Sequence, residues 1–183
     1  SKSGERGIFS RIAAQKIAAR NERRDATHKF GTNPCSEIIL RPYQFCNLSE
    51  VVVRDDDTAE TLKEKVRLAT ILGTLQSTMT DFRYLRNIWK KNTEEEALLG
   101  VSMTGIMDCK LTNGSTGEAA LGTLLEALRT VAVDTNKEWA SRLGVNQSAA
   151  ITCVKPSGTV SQLTDSASGI HPRFSEYYTR TVR

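Results

Sequence analysis

The sequence contains only two histidines, and its four cysteines include no pair at the Cys-x-x-Cys spacing that is typical of zinc sites. The histidines lie at positions 28 and 171, and the cysteines at positions 35, 46, 109 and 153. We therefore expect no metal ligand set. Residues 1–6 are not followed by the apolar segment of a secretory leader, so the cysteines do not indicate a disulfide framework either.

Long hydrophobic runs are also absent, since no apolar stretch approaches the ~18 residues that a membrane helix needs. Hydrophobic residues make up 39% and charged residues 25% of the 183 positions, which is ordinary for a globular protein with one core. We expect a cytoplasmic protein without a membrane partner. The chain lacks an initiator methionine and stops within an apparent strand, which predicts a piece of a longer protein.

The net charge of +4 is only mildly basic. Most of the clustered basic residues fall in one N-terminal stretch, at positions 16, 20, 23, 24, 28 and 29. A solvated helix face explains this stretch, and a phosphate-facing patch is the alternative. This net charge is compatible with an anionic ligand and does not require nucleic acid as a partner.

Hydrophobic periodicity predicts an α/β protein with a mainly parallel sheet, because long helices separate the predicted strands. The predicted helices are 8–21, a helix with Leu62, Val66, Ala69, Leu72 and Leu75 on its buried face, 82–89, a further helix starting at Thr93, and 115–143. In the last of these, Ser115 and Glu118 fit a capping box. The predicted strands are 45–53, 98–107, 149–154 and 177–182. Cys109 and Cys153 lie in apolar surroundings and are interpreted as buried core thiols.

The stretch Asn33-Pro34-Cys35-Ser36-Glu37 combines a carboxamide, a thiol and a carboxylate within five residues. Pro34 fixes its own φ and pushes Asn33 toward an extended conformation, so the stretch predicts a shaped loop. A thiol beside an acid/base group on a stiff loop is a candidate reaction centre, and Cys46 adds a second thiol nearby. A turn that merely contains a buried cysteine is the alternative.

A second candidate site lies in residues 149–161, which predict a strand, a tight loop and a helix start. The loop is Pro156-Ser157-Gly158-Thr159-Val160, where glycine permits close backbone approach and hydroxyls flank a helix N-terminus that favours anions. It is not a Walker A loop, because the Gly-Lys-Ser/Thr ending is missing. A capped strand-to-helix turn without a ligand is the alternative. His171, just before a proline, carries little weight by itself.

Taken together, three stretches resemble the catalytic core of the adenosylcobalamin-dependent ribonucleotide reductases. They are NPCSEIILRPYQFCNLSEVVVR at 33–54, LGVSMTGIMD at 99–108 and PSGTVSQLTDSASGIHPR at 156–173. The resemblance implies a ten-stranded α/β barrel of two half-barrels, with a finger loop inside. It divides the chain into a helix and connection at 1–32, the finger loop and redox strand at 33–48, and the second half-barrel at 49–183. The first half-barrel would be missing.

The resemblance also implies roles for the site residues. Cys35 would carry a thiyl radical at the tip of the finger, and Glu37 would act as general base on the 3′-hydroxyl of the substrate. Asn33 would hold the ribose hydroxyls, with Pro34 and Ser36 beside it. Cys46 would deliver reducing equivalents and end in a disulfide.

Further implications concern ligands and partners. The resemblance implies adenosylcobalamin as the radical source, a ribonucleoside triphosphate as substrate with its phosphates on residues 156–160, and a thioredoxin-like reductant. The disulfide partner of Cys46 is assigned to neither Cys109 nor Cys153. A glycyl-radical-enzyme relative and a non-catalytic nucleotide-binding half-barrel are the alternatives. Both enzyme hypotheses, the reductase and the glycyl-radical relative, predict that Cys35, Glu37, Cys46 and the 157–159 loop converge on one cavity of nucleotide size.

Overall fold

A computed structural model describes residues 7–20, 23–179 and 181. Its first helix, α1, spans Arg11–Ala19 and confirms the helix predicted near the N-terminus. Ser10 caps it by accepting a hydrogen bond from the Ala13 N–H. The helix buries Ala14 and Ala18 against the chain that follows.

A short antiparallel hairpin follows α1. Strand β1 is Gly31–Thr32 and strand β2 is Ile39–Leu40, with Thr32 opposite Ile39. The six residues between the strands, 33–38, therefore form the tip of the hairpin. Below, residues 31–40 are called the finger hairpin.

The central sheet is parallel, as predicted. Strand β3, Asn47–Val52, pairs in register with β4, Leu99–Thr104. The predicted strand at 149–154 is reduced to one parallel bridge, between Thr152 and Val101. It lies on the far side of β4, so the order in space is β3, β4 and the segment around Thr152.

Two long helices cover one face of this sheet. Helix α2, Ala59–Gln76, begins with a capping box between Thr58 and Thr61, and α4, Glu118–Leu143, packs beside it. The core between helices and sheet is apolar and consists of Val51, Val53, Leu62, Val66, Ala69, Leu99, Val101, Cys109, Leu128, Ala132 and Ile151. Cys109 is therefore a buried core thiol, as predicted.

The predicted buried face of α2 is correct in its first half and wrong in its second. Leu72 is 62% exposed and Leu75 is 40% exposed, whereas Thr70 and Thr74 are fully buried. These threonine hydroxyls donate to backbone carbonyls one turn earlier in the helix. A satisfied hydroxyl can be buried at little cost, so the helix is able to turn its leucines outward.

Two local predictions at helix starts are also wrong. A single helix, α3, runs over Asn87–Glu96, so the residues from Thr93 end a helix and do not start one. Helix α4 begins after Gly117, and Ser115 does not cap it, because its hydroxyl donates to the Lys110 carbonyl. Ile106–Asp108 forms a 3-10 turn, and α5 is limited to Thr159–Leu163.

The predicted last strand is not found where the chain is described. Residues 177–179 and 181 belong to no strand, and positions 180 and 182 lie outside the described residues. None of the helices formed by the described residues combines the length and hydropathy needed to cross a membrane.

Candidate functional site

The tip of the finger hairpin is shaped by its own hydrogen bonds. The side-chain oxygen of Asn33 accepts from the Ile38 N–H at 3.1 Å, and the Asn33 carbonyl accepts from the Ser36 N–H at 3.0 Å. Ser36 adopts a left-handed backbone with φ of 64°. These contacts close the loop from within and leave Cys35 exposed at its outermost point.

The base of the finger hairpin packs on the sheet face that is not covered by α2 and α4, called the finger face below. Ile38 is buried there with Leu98 and Ala149, and Cys46, Leu48 and Cys153 pack against them. The alternation of a strand places Glu50 on the same face as Leu48. Cys153, interpreted from sequence as a core thiol, is therefore partly buried on the finger face, away from the main core.

Gly100 makes this packing possible. A Cβ added at Gly100 would lie 2.4 Å from Leu48 Cδ2, 2.9 Å from Ile38 Cδ1 and 3.1 Å from Cys153 Sγ. The missing side chain is the space into which Ile38 and Cys153 fit. The finger hairpin can thus lie directly on the sheet only because position 100 is glycine.

We predict that Gly100→Ala lowers the free energy of unfolding by about 1–3 kcal/mol, because an added methyl overpacks this contact. Urea unfolding measures the change. The matched control is Gly122→Ala in α4, where an added Cβ meets nothing within 4 Å, and this change should raise stability by about 0.5–1 kcal/mol. Equal effects of the two substitutions would contradict the proposed contact.

Charge and burial at the finger face act on two thiols. Burial raises the pKa of Cys46, and the nearby negative charge of Glu37 raises it further. For Cys153, burial and then Glu37 raise the pKa to about 12. The charge of Glu37 therefore acts on both thiols, and its Oε2 is shielded from solvent without a hydrogen-bond partner among the described residues.

Removing the charge of Glu37 should make Cys46 more reactive. In Glu37→Gln the pKa of Cys46 falls toward its ordinary value, so more thiolate is present at pH 8 and alkylation by iodoacetamide should accelerate roughly two- to fivefold. Mass spectrometry resolves the rate for each cysteine. Cys35 at the exposed tip reports whether reagent access has changed in general. An unaltered Cys46 rate would contradict the proximity of the two groups.

The predicted phosphate loop differs from expectation in one side chain. Ser157 is 1% exposed, and its hydroxyl donates to Glu50 Oε2 at 2.7 Å. It is therefore engaged with the finger face, whereas Pro156, Gly158, Thr159 and Val160 are exposed. Hydroxyl contacts between Ser161 and Ser168 hold the loop against the following turn.

The structure thus brings together part of the predicted site. Glu37, Cys46 and the Ser157–Glu50 pair share the finger face, while Cys35 lies beyond them at the tip. Sequence reasoning missed Glu50 and Cys153 as neighbours of this site. Alternation along β3 from Cys46 was the available signal for Glu50, but the position of Cys153 depends on the strand order.

A buried polar network fixes the chain just before Cys46. Arg24 donates to both carboxylate oxygens of Glu96, at 2.9 and 2.8 Å, and both side chains are about 95% buried, with 5% and 6% exposure. Gln44 donates to Glu96 Oε2 and to the Asn92 carbonyl, and accepts from the Arg41 N–H. The network ties the exit of the finger hairpin to α3.

Comparison with known proteins finds relatives that match most or all of this chain. Proteins named adenosylcobalamin-dependent ribonucleoside-triphosphate reductase match it at 33% identity in Lactobacillus gasseri and 31% in Lactobacillus acidophilus, in each case over 84% of this chain and 23% of the relative. The Lacticaseibacillus paracasei protein of the same name matches the whole chain at 29% identity. The chain spans about a quarter of the length of these relatives.

A solved structure gives the same result. The crystal structure of a B-12 dependent (class II) ribonucleotide reductase aligns with 77% of this chain and 22% of its own, with a TM-score of 0.60 and 29% identity. No family model matches the chain. The match in fold and the matches in sequence therefore point to the same group of proteins.

Proposed function

We propose that this chain, a homologue of part of the adenosylcobalamin-dependent ribonucleotide reductases and part of the same α/β barrel, carries the thiol side of a site that reduces ribonucleotides to 2′-deoxyribonucleotides. The observation that carries the proposal is the finger hairpin. It presents Cys35 at an exposed tip and carries Glu37 two residues later, while Ile38 packs in one cluster with Cys46. A thiol, a carboxylate and a second thiol are the groups that this reaction requires.

The reaction begins at Cys35. A thiyl radical on its sulfur takes the hydrogen atom from C3′ of the ribose, so an S–H bond forms and the substrate becomes a carbon radical. Adenosylcobalamin supplies the radical chemistry when it is bound. The exposed thiol fits a cofactor held outside this chain, and we assign no cofactor-holding residue to the described residues.

Glu37 and Cys46 carry the following steps. Glu37 accepts the proton of the 3′-hydroxyl, which assists loss of the 2′-hydroxyl as water. Cys46 and a partner thiol outside this chain supply two electrons and two protons, of which one proton leaves in the water and the other ends on C2′, and the two thiols are oxidised to a disulfide. Cys35 then returns its hydrogen atom to C3′ and Glu37 returns its proton to the 3′-oxygen, so both groups are regenerated. The shielded oxygen of Glu37 supports the base role, since it is an acceptor without a donor among the described residues.

Asn33 positions the ribose through its amide NH2 group. The oxygen of the same carboxamide is already engaged with the Ile38 N–H, so the NH2 group is the part left for substrate. Pro34 and Ser36 complete the rim beside Cys35. The fixed loop holds these contacts in place, which is how positioning lowers a reaction barrier.

The triphosphate of the substrate binds at residues 156–160. The exposed backbone of Gly158 and the Thr159 hydroxyl supply its donors, while Ser157 acts by holding the loop on Glu50. The names of the relatives support a triphosphate as the proposed substrate. These names also favour the reductase over a glycyl-radical relative.

We further propose that the chain works with a first half-barrel and a thioredoxin-like reductant. Among the described residues β3 pairs only with β4, and Leu68 and Leu72 are exposed beside its other edge. An unpaired strand edge beside an apolar surface is suited to pairing with a further strand.

Within one partial catalytic domain, we propose that the chain divides into a helix and connection at 1–32, the finger loop and redox strand at 33–48, and the second half-barrel at 49–183. We also propose a cytoplasmic location, because the reduced thiols of this site need reducing conditions.

The isolated chain should not turn over. Incubated with adenosylcobalamin, a ribonucleoside triphosphate and a dithiol, it is expected to form no deoxynucleotide, because the partner thiol of Cys46 lies outside it. Chromatography of the nucleotides measures the product. Any deoxynucleotide above the level of a protein-free control would contradict the incomplete site.

The proposal as a whole is tested in a chimera. This chain replaces the matching segment of the Lactobacillus gasseri relative, and deoxynucleotide formation is measured with cofactor and reductant. We expect turnover that depends on the inserted Cys35, Glu37 and Cys46. A folded, nucleotide-binding chimera without turnover would contradict the proposed function.

A further inference from the structure

A small cavity lies against the finger hairpin, at Glu37, Ile38 and Ile39. It measures ≈ 200 Å³ and is lined by α1, α4, the finger hairpin and residues 149–152. The charged groups on its wall are Arg23, Arg24, Glu37 and Arg129. Apolar side chains, among them Ile17, form much of the rest.

Two of the three arginines lack a strong carboxylate partner. Arg24 is neutralised by its buried pair with Glu96. Arg23 donates to the Ser148 carbonyl at 2.9 Å and has no carboxylate within 4.0 Å among the described residues. Arg129 meets Glu126 at 3.4 Å on the exposed surface of α4, where such a pair contributes little.

The two arginines line the same cavity. They are 106 positions apart in sequence, yet after burial the charge of Arg129 is the next cause that lowers the pKa of Arg23. Glu37 also lines the cavity but forms no ion pair with either arginine among the described residues, so two positive charges face one carboxylate and a bound anion would relieve their mutual repulsion. The backbone contact to Ser148 holds Arg23 in this position.

We propose that Arg23 and Arg129 bind a phosphoryl group in this cavity. Two guanidinium groups supply planar, paired donors that match phosphate oxygens. The volume holds a phosphate and little more, since sites for drug-sized ligands measure about 300–1,000 Å³. The site is separate from the Pro156–Val160 loop, and although Glu37 lies on its wall, phosphate binding by the two arginines does not require the proposed reaction. It lies against Ile38 and Ile39, so an occupant would brace the base of the finger hairpin.

The test is a titration of the chain with inorganic phosphate, followed by NMR of the arginine Nε–Hε signals. We expect saturable shifts of Arg23 and Arg129. Arg23→Gln and Arg129→Gln should each weaken binding at least about tenfold. Arg142→Gln is the matched control, because Arg142 is an exposed arginine of α4 that pairs with Glu138 outside the cavity.

Further arms separate the alternatives. Arg23→Lys keeps the charge and should retain part of the affinity for phosphate. A melting curve of each variant shows whether a loss of binding is caused by misfolding. AMP binding as tightly as phosphate would indicate the phosphoryl group of a nucleotide, and weaker AMP binding would indicate free phosphate. Absence of saturable binding, or binding that neither arginine substitution weakens, overturns the proposal.

Discussion

Replacing Cys35 by serine in the chimera should reduce deoxynucleotide formation to below about a thousandth of the wild-type rate. An O–H bond is much stronger than an S–H bond, so a serine side chain cannot exchange a hydrogen atom with C3′ in a nearly balanced step. The substitution is small and lies at an exposed loop tip. Stability and nucleotide affinity should therefore remain close to those of the wild type.

The matched control for this loss is Cys109→Ala. Cys109 is 1% exposed within the main core, so this variant should melt at a lower temperature while it retains turnover at temperatures where it is folded. Turnover is measured by chromatography of the nucleotides, and folding by circular dichroism. Substantial turnover in Cys35→Ser, or equal losses in both variants, would remove Cys35 from the proposed role.

The largest expected effect on stability is that of Glu96→Ala, which should lower the free energy of unfolding by about 3–5 kcal/mol. The substitution leaves the buried guanidinium of Arg24 without its carboxylate and removes an acceptor of Gln44. An unpaired buried charge costs far more than the net contribution of the intact pair. Urea denaturation gives the change, and it should also loosen the chain that leads into Cys46.

Glu60→Ala is the control for Glu96. Glu60 pairs with Lys63 on the exposed surface of α2, where an ion pair contributes at most about 0.5 kcal/mol. A change below about 1 kcal/mol for Glu96→Ala would show that Arg24 finds solvent or another partner. In that case the network would not be what fixes the exit of the finger hairpin.

Sequence was sufficient for the features that depend on neighbours in the chain. Pro34 and the clustered polar groups predicted a loop around Cys35, and apolar periodicity predicted β3, β4, α2 and α4. The strands of the finger hairpin were not predicted, because two residues each are too short for a periodic pattern. Their pairing is a tertiary property of residues 31–40.

Features that depend on contacts between residues far apart in the sequence could not be predicted from the sequence. The buried face of α2 was misassigned at Leu72 because threonines can be buried when their hydroxyls bond to the preceding turn. Glu50 could be placed beside Ser157 only once the sheet and the following loop were known. The role of Gly100 likewise depends on its contact with Ile38, which is 62 positions earlier in the sequence.

The measurement that tests the central claim most directly is the rate of deoxynucleotide formation by the chimera with substrate that carries deuterium at C3′. If the Cys35 thiyl radical removes this hydrogen atom, the deuterated substrate reacts more slowly under single-turnover conditions where that step limits the rate, and Cys35→Ser forms no product from either substrate. Product formation that persists in Cys35→Ser, at equal rates for both substrates, would contradict the account.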